Sequence, residues 1–291
     1  MKNALPAERP SPLPADVGEQ VARALREDGA DSDVTAKLVP VRQRVRGRVI
    51  TREPMILCGI AWVEETFRQL DPRVSLAWAL GEGERADSGE TLFTIEGLAR
   101  PILSGERTAL NFLQLLSGTA TEARRYVDAV AGTACTILDT RKTIPGLRTA
   151  QKYAVRCGGA SNHRLGLYDM VLIKENHIAA AGSITQAIVS ARRSAPRLQV
   201  ETEVESLAQL EEALAARPDI IMLDNFTLPD LRTAVARNRE LGAPVRLEAS
   251  GGADLASVRA LAQTGVDFIS VGAITKHVRA IDLSMRVEFI A

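Results

Sequence analysis

Charged or polar side chains end or follow short apolar runs in the second half of the chain. The residues at these positions are Thr140, Arg141, Lys142, Lys174, Glu203 and Asp224. Two further cations, His163 and Arg164, lie between the first two runs. Clustered guanidinium and ammonium groups suit a ligand with several carboxylates or phosphates, because Arg binds each carboxylate through two parallel hydrogen bonds. The alternative is a set of solvated surface cations.

The acidic residues predict a cation site next to these groups. Glu203 and Asp224 end successive runs and become neighbours if sequential strands pair. Mg²⁺ takes one or two carboxylates plus waters and phosphate oxygens, so we expect it to enter with a diphosphate, held mainly through substrate and water. Glu201 and Glu205 share the strand face of Glu203, and the residue pattern does not choose among the three. A solvated acidic edge is the alternative.

Two glycine turns follow the last two runs. Their residues are Ser250, Gly251 and Gly252, and Val271, Gly272 and Ala273. A helix predicted over 253–263 would begin directly after the first turn. Such late turns in a barrel often bind phosphate through backbone N–H groups, because glycine permits close approach. A single turn of this kind is weak support, but two in succession predict a phosphate site.

The second half of the chain repeats a unit in which an apolar run precedes a helical segment. The runs are CTILD, DMVLI, LQVETE, DIIML, VRLEAS and DFISV, and the predicted helices cover 183–194, 206–216, 229–241 and 253–263. This alternation predicts a parallel sheet with crossover helices. One polar contribution from nearly every strand end favours a barrel, here an incomplete one of six or seven strands. An open doubly wound sheet is the main alternative.

The first half predicts a separate small α+β domain. The pattern is helical over 17–27, 60–69 and 101–130, and extended over 39–57, 74–80 and 90–95. We therefore expect four parts: a flexible arm at 1–16, an N-terminal α/β sandwich at 17–115, a catalytic barrel at 116–276, and a C-terminal segment at 277–291 that returns to the N-terminal domain.

Composition excludes several classes of protein. Lys plus Arg and Asp plus Glu both number 36, so no overall charge attracts nucleic acid or an acidic membrane. Cys58, Cys135 and Cys157 are odd in number and lack metal-ligand spacing, which favours a reducing cytoplasm. No stretch approaches the roughly 20 apolar residues needed to span a bilayer.

Several longer motifs resemble one known family. They are TRKTIPGLR at 140–148, GGASNHRLGLYDMVLIKENHI at 158–178, LDNF at 223–226 and LEASGG at 247–252. Together with EDGADSDVT at 27–35, SGERTALNFL at 104–113 and SVGAIT at 270–275, they are similar to quinolinate phosphoribosyltransferase, the carboxylating nicotinate-nucleotide pyrophosphorylase. The resemblance implies an incomplete α/β barrel with an N-terminal, hammerhead-like α/β sandwich. It also implies a homodimer, with higher oligomers left open, whose active sites are completed by the neighbouring subunit.

The resemblance also implies the reaction and the residue roles. Quinolinate and phosphoribosyl pyrophosphate would give nicotinate mononucleotide, pyrophosphate and CO₂, with Mg²⁺ and no organic cofactor. Lys142, Glu203 and Asp224 are the expected catalytic residues. Arg107 would reach into the partner's site, and the cations would bind quinolinate or phosphates. The residues expected to bind substrate are Arg107, Thr140, Arg141, Lys142, His163, Arg164, Lys174, Glu203 and Asp224, and the two glycine turns would hold the 5′-phosphate.

Two alternatives remain at this point. A paralogue, such as the molybdenum-transport-associated relatives, would share the scaffold but use another acceptor. A non-catalytic carrier is suggested by GEGERADSGETLFTIEG at 81–97, yet this stretch has no lysine for a prosthetic group. The sequence also does not choose Lys142, Lys174 or His163 as the source of the proton that must replace CO₂.

Overall fold

The computed structural model describes residues 12–290, and these form two compact units. The first comprises 12–124, 143–159 and 275–290, and the second 125–142 and 160–274. Both units are discontinuous along the chain: the sequence predicts the return of a C-terminal segment to the first domain, whereas it places 143–159 in the barrel domain. The predicted arm lies outside the described residues as far as residue 11.

The first unit contains a four-stranded antiparallel sheet and four helices. Its strands are β1 (Arg44–Thr51), β2 (Met55–Ile56), β3 (Ser75–Trp78), β4 (Arg85–Ala86), β5 (Thr91–Leu98) and β12 (Leu283–Ile290). Its helices are α1 (Val17–Asp28), α2 (Ile60–Leu70), α3 (Ala99–Ala129), which continues into the second unit, and α4 (Arg148–Cys157). The main sheet has the order β12-β1-β5-β3, and β2 pairs with β4. Val45 and Val49 of β1 are buried while the arginines between them are exposed, which is the alternation of a sheet with one covered face.

The segment 81–97 is part of this first unit. It contains β4 and most of β5, and its Glu82 carboxylate accepts the N–H groups of Gly59 (2.8 Å) and Ile60 (3.2 Å). These are donors at the start of α2, which no earlier turn of the helix can satisfy. The segment therefore caps a helix and completes a sheet.

The second unit is built on a parallel sheet of six strands. They are β6 (Thr136–Leu138), β7 (Val171–Ile173), β8 (Val200–Val204), β9 (Ile220–Asp224), β10 (Arg246–Ser250) and β11 (Phe268–Ser270). The order β6-β11-β10-β9-β8-β7 is sequential around a ring, with the opening between β6 and β7. The predicted incomplete barrel is confirmed. The doubly wound alternative is wrong, because such a sheet reverses its strand order at a switch point.

Helices follow most strands of this sheet. They are α5 (Glu175–Ala181), α6 (Ile184–Ser194), α7 (Leu207–Ala216), α8 (Leu228–Glu240), α9 (Val258–Ala262), and the short α10 (Ala273–Lys276), which begins in the second unit and ends in the first. The predicted helix over 253–263 is wrong in its first part. Asp254 accepts the N–H groups of Ala256 (3.1 Å) and Ser257 (2.8 Å), and this side-chain turn delays the helix to Val258. No described helix is both long and apolar enough to cross a membrane.

Thr202 of β8 is expected to weaken the fold slightly. Its side chain is fully buried, and its hydroxyl has no hydrogen-bond partner among the described residues. Thr202→Val should therefore raise the free energy of unfolding by about 1 kcal/mol, measured by urea denaturation. Thr264→Val is the matched control, because that buried hydroxyl donates to the Leu261 carbonyl at 2.6 Å and its loss should destabilise. Equal losses in both variants would contradict this account.

Candidate active site

The predicted site residues collect at one edge of the parallel sheet. Residues 140–142 follow β6, Lys174 follows β7, Glu203 lies in β8 and Asp224 ends β9. Because all six strands run in the same direction, their carboxyl ends meet at this edge. The second unit thus places side chains from distant parts of the sequence close together.

Arg141 and Arg164 form the cationic part of this edge. Burial lowers the pKa of Arg164, and the nearby charge of Arg141 lowers it further, while Glu201 and Asp169 oppose the change. The Nε atom of Arg141 is buried and has no hydrogen-bond partner among residues 12–290. Two neighbouring guanidinium groups with an unused donor are suited to a ligand that brings carboxylates.

His163 is turned toward protein atoms. Its Nδ1 accepts the N–H of Arg164 at 2.8 Å, and its Nε2 lies 2.9 Å from Oε2 of Glu201. The imidazole is only 7% exposed. The backbone N–H of His163 donates to Oδ1 of Asp139 at 2.8 Å. Both the backbone and the ring of His163 are thus in contact with acidic side chains. The structure therefore puts His163 beside the predicted site with its ring directed inward.

Lys174, Glu203 and Asp224 form the acidic part of the edge. The Lys174 ammonium group donates a short hydrogen bond to Oε2 of Glu203. Burial raises the pKa of Glu203, and the Lys174 hydrogen bond opposes that change. One carboxylate oxygen from each of Glu203, Glu205 and Asp224 lies within 4.8 Å of the others. Hard carboxylate oxygens at this spacing suit Mg²⁺ carried by a phosphorylated ligand.

The first glycine turn packs against the loop after β9. The N–H of Asn225 donates to the Ser250 carbonyl at 2.9 Å, and Ser250 pairs in register with Asp224. Gly251 has φ +99°, and a Cβ there would lie 2.2 Å from Oδ1 of Asn225. Only glycine fits this conformation and contact. Since the helix begins six residues after Gly252, this turn offers backbone groups and no helix N-terminus.

The second glycine turn lies beside the residues after β6. A Cβ at Gly272 would come within 3.2 Å of Cδ of Lys142 and 3.6 Å of Oγ1 of Thr140. Thr140 in turn accepts the N–H of Lys142 at 3.1 Å. Val271 is tied to β6 by donating to the Leu138 carbonyl at 2.8 Å. This turn therefore brings glycine backbone and a lysine together, which suits an anion.

Arg107 belongs to the other compact unit. It lies on α3 and is exposed. The remaining predicted site residues lie in the second unit.

The chain matches two domain families that together cover most of its length. Residues 33–117 match the N-terminal domain, and residues 119–286 the C-terminal domain, of quinolinate phosphoribosyl transferase. The chain belongs to the quinolinate phosphoribosyl transferase family.

Named members of this family are similar along nearly their whole length. A nicotinate-nucleotide pyrophosphorylase [carboxylating] of Mycobacterium leprae is 45% identical, covering 92% of this chain and 95% of the relative. A probable enzyme of the same name from Bacillus subtilis is 42% identical, with 90% of each chain covered. The solved nicotinate-nucleotide pyrophosphorylase of Francisella tularensis is 46% identical with a TM-score of 0.90, covering 97% of this chain and 99% of that one.

The sequence did not predict three polar residues beside the site of this member of the quinolinate phosphoribosyl transferase family. Asp139, buried at the end of β6, accepts from the side chain of Asn162 (2.8 Å) as well as from the His163 backbone. Glu248, inside β10, is fully buried near His163. Asn225, at φ +56°, packs against Gly251 of the first glycine turn. The available signal was an acidic residue directly after an apolar strand for Asp139 and inside one for Glu248.

Proposed function

We propose that this protein transfers the phosphoribosyl group of phosphoribosyl pyrophosphate to quinolinate and releases one carboxylate as CO₂. The products are nicotinate mononucleotide, which serves NAD synthesis, and pyrophosphate. The observation that carries this proposal is the meeting of Arg141 and Arg164 with the Lys174, Glu203 and Asp224 group at one sheet edge. A dicarboxylate acceptor needs the first group, and a sugar diphosphate donor needs the second. The names of the similar proteins support the same reaction.

The arginines hold and orient the acceptor. Each guanidinium can bind one carboxylate of quinolinate through two hydrogen bonds, which fixes the ring in the plane of attack. The ring nitrogen is the nucleophile toward the anomeric carbon. Holding both reactants in line replaces a bimolecular collision by a positioned reaction.

Glu203 and Asp224 stabilise the positive charge that develops on the ribose as pyrophosphate leaves. Their carboxylates fit Mg²⁺ held partly through the substrate and water. When bound, Mg²⁺ would neutralise charge on the departing diphosphate. Lys174 orients Glu203 through their hydrogen bond and opposes the rise that burial causes in the Glu203 pKa. The turns at 250–252 and 271–273 offer backbone N–H groups to the 5′-phosphate.

The alkylated ring accepts the electron pair that remains when CO₂ departs, so the step needs no organic cofactor. The resulting carbanion then takes a proton. Because both ring nitrogens of His163 face protein atoms, we propose a lysine as the donor. Lys142 is exposed beside the second glycine turn, and Lys174 donates a hydrogen bond to Glu203, so both lysines lie at the sheet edge where this proton is needed.

We further propose a homodimer in which Arg107 completes the partner's site. Large apolar side chains are exposed in both units, among them Leu38 (83%) and Leu167 (74%), with Val34, Val41 and Tyr168 beside them in sequence. Exposed apolar side chains of this size often belong to surfaces that a partner covers, and this supports a dimer. The three cysteines are free, which supports a reducing cytoplasm as the location.

An acceptor panel tests the proposed function. The purified protein is incubated with Mg²⁺, phosphoribosyl pyrophosphate and either quinolinate, nicotinate or no acceptor, and nicotinate mononucleotide is followed by mass spectrometry. We expect product with quinolinate only, and loss of product when a chelator removes Mg²⁺. Binding of phosphoribosyl pyrophosphate without turnover of quinolinate would favour a paralogue with another acceptor.

A further inference from the structure

A buried acidic cluster lies next to the acceptor arginines. Glu201 of β8 and Glu248 of β10 are both fully buried, and His163 Nε2 lies 2.9 Å from Oε2 of Glu201 and 3.6 Å from Oε2 of Glu248. None of the four carboxyl oxygens accepts a well-aligned hydrogen bond from any side chain or backbone group between residues 12 and 290. Burying two carboxyl groups costs free energy unless one of them is protonated or a neighbouring group donates a hydrogen bond to them.

The hydrogen bonds of His163 define where its proton lies. Nδ1 accepts the N–H of Arg164 at 2.8 Å, so Nδ1 carries no hydrogen. A neutral imidazole then carries its hydrogen on Nε2, which faces Glu201 and Glu248. A protonated Nε2 cannot bind a metal ion. The cluster therefore functions through hydrogen bonds, although its three residues have a spacing that a metal could use.

Glu248 supplies the hydrogen that such a network lacks. Burial raises the pKa of Glu248, and the neighbouring Glu201 carboxylate raises it further, to about 8, while the Ser270 side chain opposes the change. A protonated Glu248 can donate its hydrogen to Glu201, and Oε2 of Glu201 lies 2.9 Å from Nε2 of His163, close enough for a second hydrogen bond after a small reorientation. The chain of contacts then runs from Glu248 through Glu201 and His163 to the backbone of Arg164.

We propose that Glu248 is a positioning residue for the acceptor: through Glu201 and His163 it fixes the backbone at Arg164, and so the guanidinium group that holds a quinolinate carboxylate. This inference rests on the proposed function. It gives the inward-facing ring of His163 a role distinct from contact with substrate. It also predicts that the donor substrate, bound at Glu203, Asp224 and the glycine turns, is unaffected by changes at Glu248.

Paired variants of Glu248 test this role. Glu248→Leu removes the hydrogen-bond donor, and we expect KM for quinolinate to rise about tenfold. KM for phosphoribosyl pyrophosphate should stay within about twofold, since its binding groups are untouched. Glu248→Gln keeps a donor and should restore KM for quinolinate to within about threefold of the wild type. Thr202→Val, equally buried in β8, is the control and should leave both constants unchanged.

Equal increases in both KM values, or a glutamine variant as impaired as the leucine variant, would overturn the proposal. A second measurement does not depend on whether the Glu248 variants fold. The chain has 3 histidines, so long-range ¹H–¹⁵N NMR can assign the His163 ring with a His163→Gln reference. We expect a neutral ring with the hydrogen on Nε2, and a hydrogen on Nδ1 would overturn the network. If wild-type protein does not use quinolinate, the proposed function fails, whereas this spectrum still tests the network.

Discussion

Replacing Glu203 by glutamine is expected to lower kcat by about 10²- to 10³-fold. The Glu203 carboxylate is nearly buried, is paired with Lys174 and lies within reach of Asp224. Glutamine keeps the shape and an acceptor for Lys174, but it removes the negative charge that stabilises the cationic ribose and pairs with the Lys174 ammonium group. Steady-state rates with saturating quinolinate and phosphoribosyl pyrophosphate measure the effect.

Glu205→Gln is the matched control for this experiment. Glu205 lies two residues after Glu203 and is exposed. One of its carboxylate oxygens lies within 4.8 Å of oxygens of Glu203 and Asp224. Because solvent screens its charge, we expect its loss to change kcat by less than about threefold. If Glu205→Gln were as impaired as Glu203→Gln, the catalytic charge would belong to all three acidic residues together. That result would contradict the role given to Glu203.

Mixing two inactive variants is expected to restore activity. Arg107→Ala removes the residue proposed to enter the partner's site, and Lys142→Ala removes a residue of the barrel's own site. Each alone should lose at least about 100-fold in activity. If subunits exchange at random, about half of the dimers are mixed and each has one intact site, so activity should return to about a quarter of the wild type.

Exchange of subunits is verified by mass spectrometry of differently labelled chains. Mixed dimers that form but stay inactive would contradict a shared site. Mixing Lys142→Ala with Glu203→Gln is the control. Both changes lie in the second unit of the same chain, so each site of the mixed dimer keeps one defect and no recovery is expected.

The strands of the barrel could be predicted because each is a short apolar run followed by a polar or glycine-rich turn. Each of the six predicted runs overlaps an observed strand, to within one residue at its end. The helix α5 has no buried residue, so it lacks the apolar spacing on which helix prediction depends. The helix α9 was predicted too long because the side-chain turn at Asp254 is a local competitor of the helix.

The sequence predicted which charged residues form the site, but it did not predict which of them contact one another. The sequence left Glu201, Glu203 and Glu205 as equal candidates, and the structure separates them by depth. Glu201 lies under His163, Glu203 pairs with Lys174, and Glu205 is exposed. Glu248 was missed because a strand interior is expected to be apolar, and only the fold brings it to His163.

The most direct test of the proposed reaction uses quinolinate labelled with ¹³C in its 2-carboxylate. Labelled CO₂, pyrophosphate and nicotinate mononucleotide are quantified together during turnover with Mg²⁺ and phosphoribosyl pyrophosphate. The proposed reaction predicts equal amounts of all three and no label in the nucleotide. Pyrophosphate released without labelled CO₂, or label retained in the product, would contradict it.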